Sequence, residues 1–191
     1  MKRRRFSFPW FLAALGAIMT IVASVIGIDT FYTRATSEIT YYAATMGNDS
    51  NLGMQAAPFK TVRKAGSVDG QGDTVYVRGG TYYTDPNALT KTGSANARIV
   101  IQAHPGETVV LDGAQSSDPN PDIFYVPGQY YDIKGFTIRG AKRTAINMWP
   151  GSARHIRILN NIVQDTHGGG STAAVRSSST LRATVSSTTC A

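Results

Sequence analysis

The chain has 191 residues, a formal net charge of +7 and a single cysteine, Cys190. This length allows one domain with a leader and a tail, and the lone cysteine excludes an intrachain disulfide. Most of the charge lies at the ends, because residues 1–34 carry a net +4 and residues 171–191 carry +2, which leaves +1 for the body. Nucleic-acid binding needs lysines and arginines gathered on one folded face, so the charge distribution argues against it.

The first 34 residues predict export. Four cations, Lys2 to Arg5, precede 21 uncharged residues from Phe8 to Ile28. This run can cross a hydrocarbon core of about 30 Å as a helix, and it is longer than the ~7–15 apolar residues of a signal peptide. Because the cations should stay in the cytoplasm, we expect a membrane anchor with everything after Asp29 outside. The alternative is a cleaved signal, with a poor site at residues 33–35, which would give a secreted protein.

From Ile39 onward, short β-prone runs alternate with turns. The runs are rich in β-branched and aromatic residues and are bounded by Gly, Pro, Asn or Asp. No segment after residue 70 has the helical period that a βαβ crossover needs. The runs are ITYYAA, DTVYVRGGTYY, ARIVIQA, ETVVLDG, DIFYVPG, YYDIKGFTIRG, TAINMW and RHIRILNNIVQDT. This pattern predicts an all-β fold.

Two repeated series indicate a solenoid. Apolar positions recur at spacings of 24, 25 and 22 residues, at Val75, Ile99, Phe124 and Ile146. A pattern of apolar, outward and turn residue recurs as Leu111-Asp112-Gly113, Ile133-Lys134-Gly135 and Ile158-Leu159-Asn160. Gly and Asn tolerate the positive φ of such a turn, so we expect these three turn residues to stack. Together the series predict a parallel β-helix of about four coils over residues 40–170.

A helix is predicted directly before the first coil, in the segment PFKTVRKAGSV. Pro58 can open a helix, and Phe59, Val62, Ala65 and Val68 fall on one face. A solenoid needs a cap because its first coil would otherwise expose apolar side chains and strand edges. We therefore expect this short helix to cap the N-terminal end of the solenoid.

The sequence resembles the first half of the pectate-lyase-like right-handed parallel β-helix proteins. The residues that carry the resemblance are YYAATMGNDSNLGMQAAPFKTVRKA, GDTVYVRGGTYY, RIVIQAHPGETVVLDG, FYVPGQYYDIKGFTIRGAKRTAINMW and HIRILNNIVQDTHGGG. They cover residues 40–170 and are similar to an exported group with an N-terminal domain of unknown function, whose better-known members are polysaccharide lyases. Such a resemblance identifies a fold better than an activity.

The resemblance implies a lyase acting on an acidic polysaccharide. Family lyases break uronic-acid chains by β-elimination, in which a base removes the proton next to the carboxylate and a cation, often Ca²⁺ held by Asp, neutralises that carboxylate. Their active residues come from coils in the middle of a long solenoid. With about four coils present, we expect this chain to be an inactive part of such a protein.

Four residues are candidates for that chemistry. Lys142 and Arg143 are candidates for the base or a substrate clamp, and Asp165 and His167 end the last coil, with Asp165 as the candidate metal ligand. Ordinary turn composition accounts for the same residues, because AKRT reads as a solvated turn between strands and Asp165 can close a polar turn. The three histidines and one cysteine form no zinc pattern.

The competing hypothesis is a non-catalytic surface or carbohydrate-binding β-helix. Tyr82, Tyr83, Tyr130 and Tyr131 are the candidates for this function, because exposed aromatic rings could stack on sugar rings. A lyase assay separates the two hypotheses, since a binding protein would retain the polymer without producing the unsaturated product.

The segment 171–191 departs from the pattern. It has 11 Ser or Thr among its 21 residues and neither Gly nor Asn. A disordered linker or an O-glycosylated stalk would have this composition. We favour a frame-shifted or truncated copy of a longer protein, with native sequence ending near Gly170, because suitable codons for residues 182–189 read G-N-R-V-I-N in a shifted frame.

Sequencing the gene tests the frame-shift hypothesis. We expect the bases after the Gly170 codon to encode further coils in another frame. Bases that encode no such coils in any frame would rule the hypothesis out.

Overall fold

The computed structural model describes residues 38–119, 122–148 and 152–164, and the backbone of two more strands at 175–176 and 182–187. The fold consists of short strands and one short helix. The strands are β1 (Thr40–Ala43), β2 (Thr74–Val77), β3 (Gly80–Tyr83), β4 (Asn87–Ala88), β5 (Ile99–Ala103), β6 (Val109–Asp112), β7 (Asp122–Val126), β8 (Tyr131–Lys134), β9 (Phe136–Arg139), β10 (Thr144–Met148), β11 (Arg157–Gln164), β12 (Val175–Arg176) and β13 (Arg182–Ser187), and the helix α1 is Val62–Val68.

The strands form three rows along the solenoid. The first row is β1, β2, β5, β8 and the start of β11, the second is β3, β6, β9 and the end of β11, and the third is β4, β7, β10 and β12. All pairings between these named strands are parallel. One passage through the three rows makes a coil, so that β2–β4, β5–β7, β8–β10 and β11–β12 are the first to fourth coils. The predicted parallel β-helix is confirmed.

The core consists of inward side chains stacked in columns. Because strand side chains alternate between the two faces, each coil contributes one residue to each column. The first row contains a column of Val75, Ile101, Ile133 and Ile158, all fully buried. Burying such a side chain contributes about 1.5–3 kcal/mol, so the columns supply a large part of the stabilisation.

The predicted register is wrong in the first series. Val75 pairs with Ile101 rather than with Ile99. Phe124 belongs to the third row, where it pairs with Ile146 as predicted. A fixed spacing fails because a long connection between β6 and β7 lengthens the second coil, and because all three rows share the same alternation of apolar and polar residues.

The second series is partly confirmed. Gly135 and Asn160 have positive φ angles of 76° and 54°, and the Gly135 amide donates at 3.1 Å to the carbonyl that precedes Asn160. These two turn residues therefore stack as expected. Gly113 does not join them, because Leu111 pairs with Ile138 in the second row.

The predicted capping helix is confirmed, but the predicted position of its first residue is wrong. α1 begins after Thr61, whose hydroxyl accepts from the Lys64 amide at 3.0 Å, so Thr61 rather than Pro58 marks the N-terminus. A threonine hydroxyl satisfies a free amide of the first turn, whereas the residue after Pro58, Phe59, forms an extended bridge with Ala43. The helix packs against β1, β2 and β4.

Asp132 links three coils through a buried carboxylate. Its side chain is 1 % exposed, and its Oδ1 accepts from Arg98 Nε at 2.6 Å and from Arg157 Nε at 2.7 Å. Burial opposes ionisation, but the hydrogen bonds and charges of Arg157 and Arg98 outweigh it and hold the pKa of Asp132 below its ordinary value. The carboxylate therefore fixes the second, third and fourth coils relative to one another.

The segment 171–191 contains two strands. β12 pairs with β10, and β13 pairs with β11 from Arg157–Arg182 to Val163–Ser187 with one register shift. The winding thus continues past Gly170, where we expected the repeat to stop, because parallel pairing needs only backbone groups and β-prone side chains. The frame-shift hypothesis stays a prediction.

The leader, residues 1–34, lies outside the described residues. Among the residues that the structure describes, no helix combines the length and the apolar character needed to span a bilayer. The membrane anchor and the cleaved signal therefore both stay predictions.

Asp69 is a buried carboxyl group at the C-terminal end of α1. Among the described residues, its Oδ2 accepts no hydrogen bond, and the Tyr131 hydroxyl donates to its Oδ1 at 3.4 Å. Burial raises the pKa of Asp69 to about 7, and the charge of Asp73 adds to this, although Tyr131 and Lys91 oppose it. A proton therefore stays on Asp69 at a pH where most carboxyl groups have lost it.

We predict that Asp132→Asn lowers the free energy of unfolding by about 2–3 kcal/mol. Breaking a buried ion pair costs about 3–5 kcal/mol, and we discount this because the Arg157 side chain is 46 % exposed. Urea unfolding measures the change, with Glu38→Gln as the control, since that exposed acid should change stability by less than about 0.5 kcal/mol. Equal midpoints for Asp132→Asn and the wild type would contradict the prediction.

We also predict that Asp69 makes the protein less stable as the pH rises from about 4 to about 7. In the unfolded chain this carboxyl group ionises near 3.8, and in the folded protein near 7. The folded state therefore binds more protons in this window, so the free energy of unfolding falls as the pH rises, by at most about 4 kcal/mol.

Asp69→Asn tests this prediction by urea unfolding at several pH values. The variant should lose the decline between pH 4 and 7 and be more stable than the wild type above pH 7. If the difference between the two proteins does not change with pH, the ionisation of Asp69 does not couple to folding.

Candidate functional site

The two cationic candidates lie in the turn between β9 and β10. Lys142 and Arg143 are both exposed, as expected for a solvated turn, whereas Ala141 is buried and Thr144 is the first residue of β10. Arg143 pairs with Asp122, a buried carboxylate that also accepts from Asn147 Nδ2 at 2.8 Å. Its guanidinium is thus bound within the protein, linking the second and third coils, whereas Lys142 projects into solvent.

The acidic candidates cannot be placed in the same way. Asp165 and His167 lie outside the described residues. Within residues 38–119, 122–148 and 152–164, no group of three or more His, Cys, Asp or Glu side chains is arranged to hold a metal ion. The Ca²⁺ site implied by the resemblance therefore stays a prediction.

The four tyrosines divide by the face of the strand. Tyr82 is 6 % exposed and Tyr131 is fully buried, so the prediction that these two are exposed is wrong. Tyr83 is 57 % exposed, as predicted, and Tyr130 is half-buried. The physical reason is alternation: neighbouring residues of a strand face opposite sides, so the Tyr82–Tyr83 pair can present only one ring to solvent.

Tyr82 and Tyr131 have structural roles. The Tyr82 hydroxyl donates to the Arg78 carbonyl at 2.8 Å and lies 3.3 Å from the Ala43 carbonyl, which connects β3 to the strand row before it. Burial is the main cause that raises the pKa of both phenols. Neither ring is available to a sugar.

Tyr130 belongs to a stack that the sequence did not reveal. Its ring lies 4.3 Å from the His155 ring at an interplanar angle of 17°, and Arg98 lies over it at 5.8 Å. Tyr130 and His155 both have positive φ, at 57° and 56°, which places them in equivalent turns of the third and fourth coils. The run RHIRILNNIVQDT predicts that His155 belongs to a strand, but it lies in the turn before β11. Because His155 covers one face of Tyr130, that face cannot also contact a ligand.

Tyr83 lies in a groove beside the first coil. The groove has a volume of about 510 Å³ and is lined by Thr45, Asp49, Lys60, Thr61, Val62, Arg63, Thr81, Tyr82, Tyr83, Thr84 and Asp85. It forms because β3 is the end strand of the second row, so the segment before α1 lies across its free edge. An aromatic ring, hydroxyl groups and charges of both signs thus line one cavity, and small-molecule sites are concave regions in which a few placed polar groups give specificity.

Close packing fixes the groove wall. Gly80 has a φ of 141°, and a Cβ at this position would lie 2.9 Å from Thr45 Cγ2. The chain before α1 therefore approaches β3 so closely that only glycine fits. This contact was not predictable from the spacing of strands, because it depends on where the segment 44–61 returns to the first coil.

Comparisons with known proteins agree with the fold. The sequence profile described as "Pel9A-like, right handed beta helix region" matches residues 41–189, a region that extends past Gly170. The chain is 37 % identical over 83 residues to pectate lyase PEL9 of Emericella nidulans, covering 43 % of this chain and 20 % of that protein. It is 28 % identical over 167 residues to the uncharacterized protein YwoF of Bacillus subtilis, covering 81 % of this chain and 35 % of that protein.

Two solved structures are similar. A rhamnogalacturonan lyase and pectate lyase Pel9A each match 68 % of this chain with a TM-score of 0.52 and 26 % identity, and this chain covers 36 % and 34 % of them. The chain thus spans between a fifth and about a third of the length of these relatives. Because the profile match covers more than half of the sequence and the strands form the corresponding parallel coils, the chain belongs to the Pel9A-like right-handed β-helix family.

Proposed function

We propose that this chain is part of a carbohydrate-active protein of the polysaccharide-lyase type that acts on an acidic polysaccharide. The observation that carries the proposal is the family match across residues 41–189, supported by similarity to a pectate lyase and a rhamnogalacturonan lyase. Pectate and rhamnogalacturonan both contain uronic acids, so a relative with a different substrate is still expected to recognise a sugar carboxylate.

We do not expect the chain alone to catalyse cleavage. In the described residues, Arg143 is bound to Asp122, and Lys142 is exposed with no described partner that would position it as a base. We therefore keep the expectation that the chain alone is inactive, and we add to it here that the chain still binds an acidic polymer. Export by the leader remains part of the proposed function, since a polysaccharide substrate of this kind lies outside the cytoplasm.

A second function has a specific observation in its favour. The exposed Tyr83 ring in a groove of about 510 Å³ would suit a carbohydrate-binding β-helix with no catalytic role. This alternative predicts binding with no cleavage even in longer family members that share these coils.

We predict that the full chain retains polygalacturonate but gives no unsaturated product, with or without Ca²⁺. Product is read by ultraviolet absorbance, and retention by affinity electrophoresis in gels that contain the polymer. The heat-unfolded chain is the control for charge-driven retention. Turnover would refute the expected inactivity while supporting a lyase, and the absence of both retention and turnover would contradict the proposed function.

A further inference from the structure

The groove beside the first coil offers groups that the fold itself does not use. In the part of the chain that the structure describes, the side chains of Lys60 and Arg63 are exposed and form no hydrogen bond or ion pair. The Tyr83 ring, 57 % exposed, has no aromatic neighbour there. Several arginines of other coils are by contrast paired with acids, as Arg157 is with Asp132.

One of the two carboxylates of the groove, that of Asp49, is already fully engaged. Asp49 Oδ1 accepts from the amides of Lys60 and Thr61 at 2.8 and 2.9 Å, and its Oδ2 accepts from the Thr61 hydroxyl at 2.9 Å. Asp49 thereby satisfies the free amides that precede α1. The Asp49 carboxylate therefore holds the groove wall in place.

Asp85 is held on one side only. Its Oδ1 accepts from the Ser116 hydroxyl at 2.7 Å and from the Ser117 amide at 3.0 Å. The Ser116 and Ser117 hydrogen bonds, together with the charge of Arg63, lower the pKa of Asp85, so it is ionised at neutral pH. Its Oδ2 accepts no hydrogen bond from the described residues, and because Asp85 lines the groove, this oxygen is an available acceptor.

The free groups therefore comprise two cations, one aromatic ring and one acceptor oxygen. We propose that the groove binds a hexuronate unit of an acidic polysaccharide, with the sugar ring against Tyr83 and the sugar carboxylate against Lys60 and Arg63. An arginine fork and a lysine ammonium form strong charge-assisted hydrogen bonds with a carboxylate. The Asp85 Oδ2 acceptor suits a sugar hydroxyl, which a neutral or acidic sugar supplies equally.

This inference rests on the proposed function, and it adds a site at the N-terminal end of the solenoid. Asp49 and Asp85 offset the charges of Lys60 and Arg63, so the groove has no net charge to attract any polyanion. Selectivity for an acidic sugar must therefore come from the two unpaired cations, Lys60 and Arg63, rather than from the net charge of the groove. A site here would hold the polymer at the first coil, without taking part in its cleavage.

Isothermal titration of the full chain in mild detergent tests the site, with a galacturonate oligomer and the matching galactose oligomer as probes. We expect Tyr83→Ala to weaken galacturonate binding by about tenfold or more, which corresponds to about 1.4 kcal/mol, and Tyr83→Phe to retain it because the ring remains. The double variant Lys60→Met with Arg63→Met should lose preference for galacturonate over galactose. Arg154→Met, an exposed cation far along the chain, is the control and should bind as the wild type does.

The outcomes separate the site from the proposed function. If the wild type binds galacturonate and both Tyr83→Ala and the double variant bind it equally well, the groove is not the site, while the proposed function stands. Equal affinity for the galactose oligomer would also overturn the inference, because the cations would then contribute nothing. No galacturonate binding by the wild type would contradict both. Urea midpoints confirm that each variant is folded. If Tyr83→Ala does not fold, Tyr83→Phe and the double variant still test the site.

Discussion

Charge pairs between adjacent coils fix the register on which the rest of this structure depends. Asp132 is the deepest example, because its buried carboxylate meets arginines from the coil before and the coil after. Asp112 binds Arg139 of the next coil at 2.7 Å, and Glu107 binds Arg78 of the coil before at 2.8 Å. A solenoid whose columns are all aliphatic could slip by two residues with little change in packing.

Such a slip would leave the Asp132 carboxylate buried without its arginine partners, at a cost of several kcal/mol. Buried amides reinforce the same register, since Asn161 Oδ1 accepts from the Phe136 amide at 2.9 Å and its Nδ2 donates to the Ile133 carbonyl at 2.8 Å. The coils therefore form a rigid support. Rigidity matters for function because β3, which forms part of the groove wall, is held by its pairing with β6 of the second coil.

A groove that binds a sugar would let the N-terminal coils hold the polymer in a longer family member. The chain spans about a third of the solved lyases that it resembles, and its described cations Arg98, Arg139, Arg143 and Arg157 bind acids of neighbouring coils. Lys60 and Arg63 are different, since they remain available to a ligand. A polymer held there by one sugar would be kept near the solenoid, which raises its local concentration for any coil that performs chemistry.

The sequence predicted the fold class and most strands, because short β-prone runs between Gly and Asn turns have few other structures. It could not predict the row to which each run belongs. Ile99, Ile101 and Phe124 all look like inward residues, and only the pairing shows that Phe124 lies in a different row. The connection before β7 changed the coil length and removed the regular spacing.

The candidate site was predictable only in part. The sequence predicted that Tyr83 is exposed. The alternation along GTYY also indicates that only one of the two tyrosines can face solvent, but the prediction did not use this signal. Lys60 and Arg63 could not be found, because their proximity to Tyr83 arises from a segment that returns across the end of β3. The raised pKa of Asp69 likewise depends on its burial at the C-terminal end of α1, which the sequence pattern does not show.

A crystal structure of the full chain with a bound galacturonate oligomer tests the central claim most directly. We predict one sugar ring against the face of Tyr83, with its carboxylate within hydrogen-bond distance of Lys60 or Arg63. Sugar bound only elsewhere on the solenoid, with the groove filled by solvent, would contradict it.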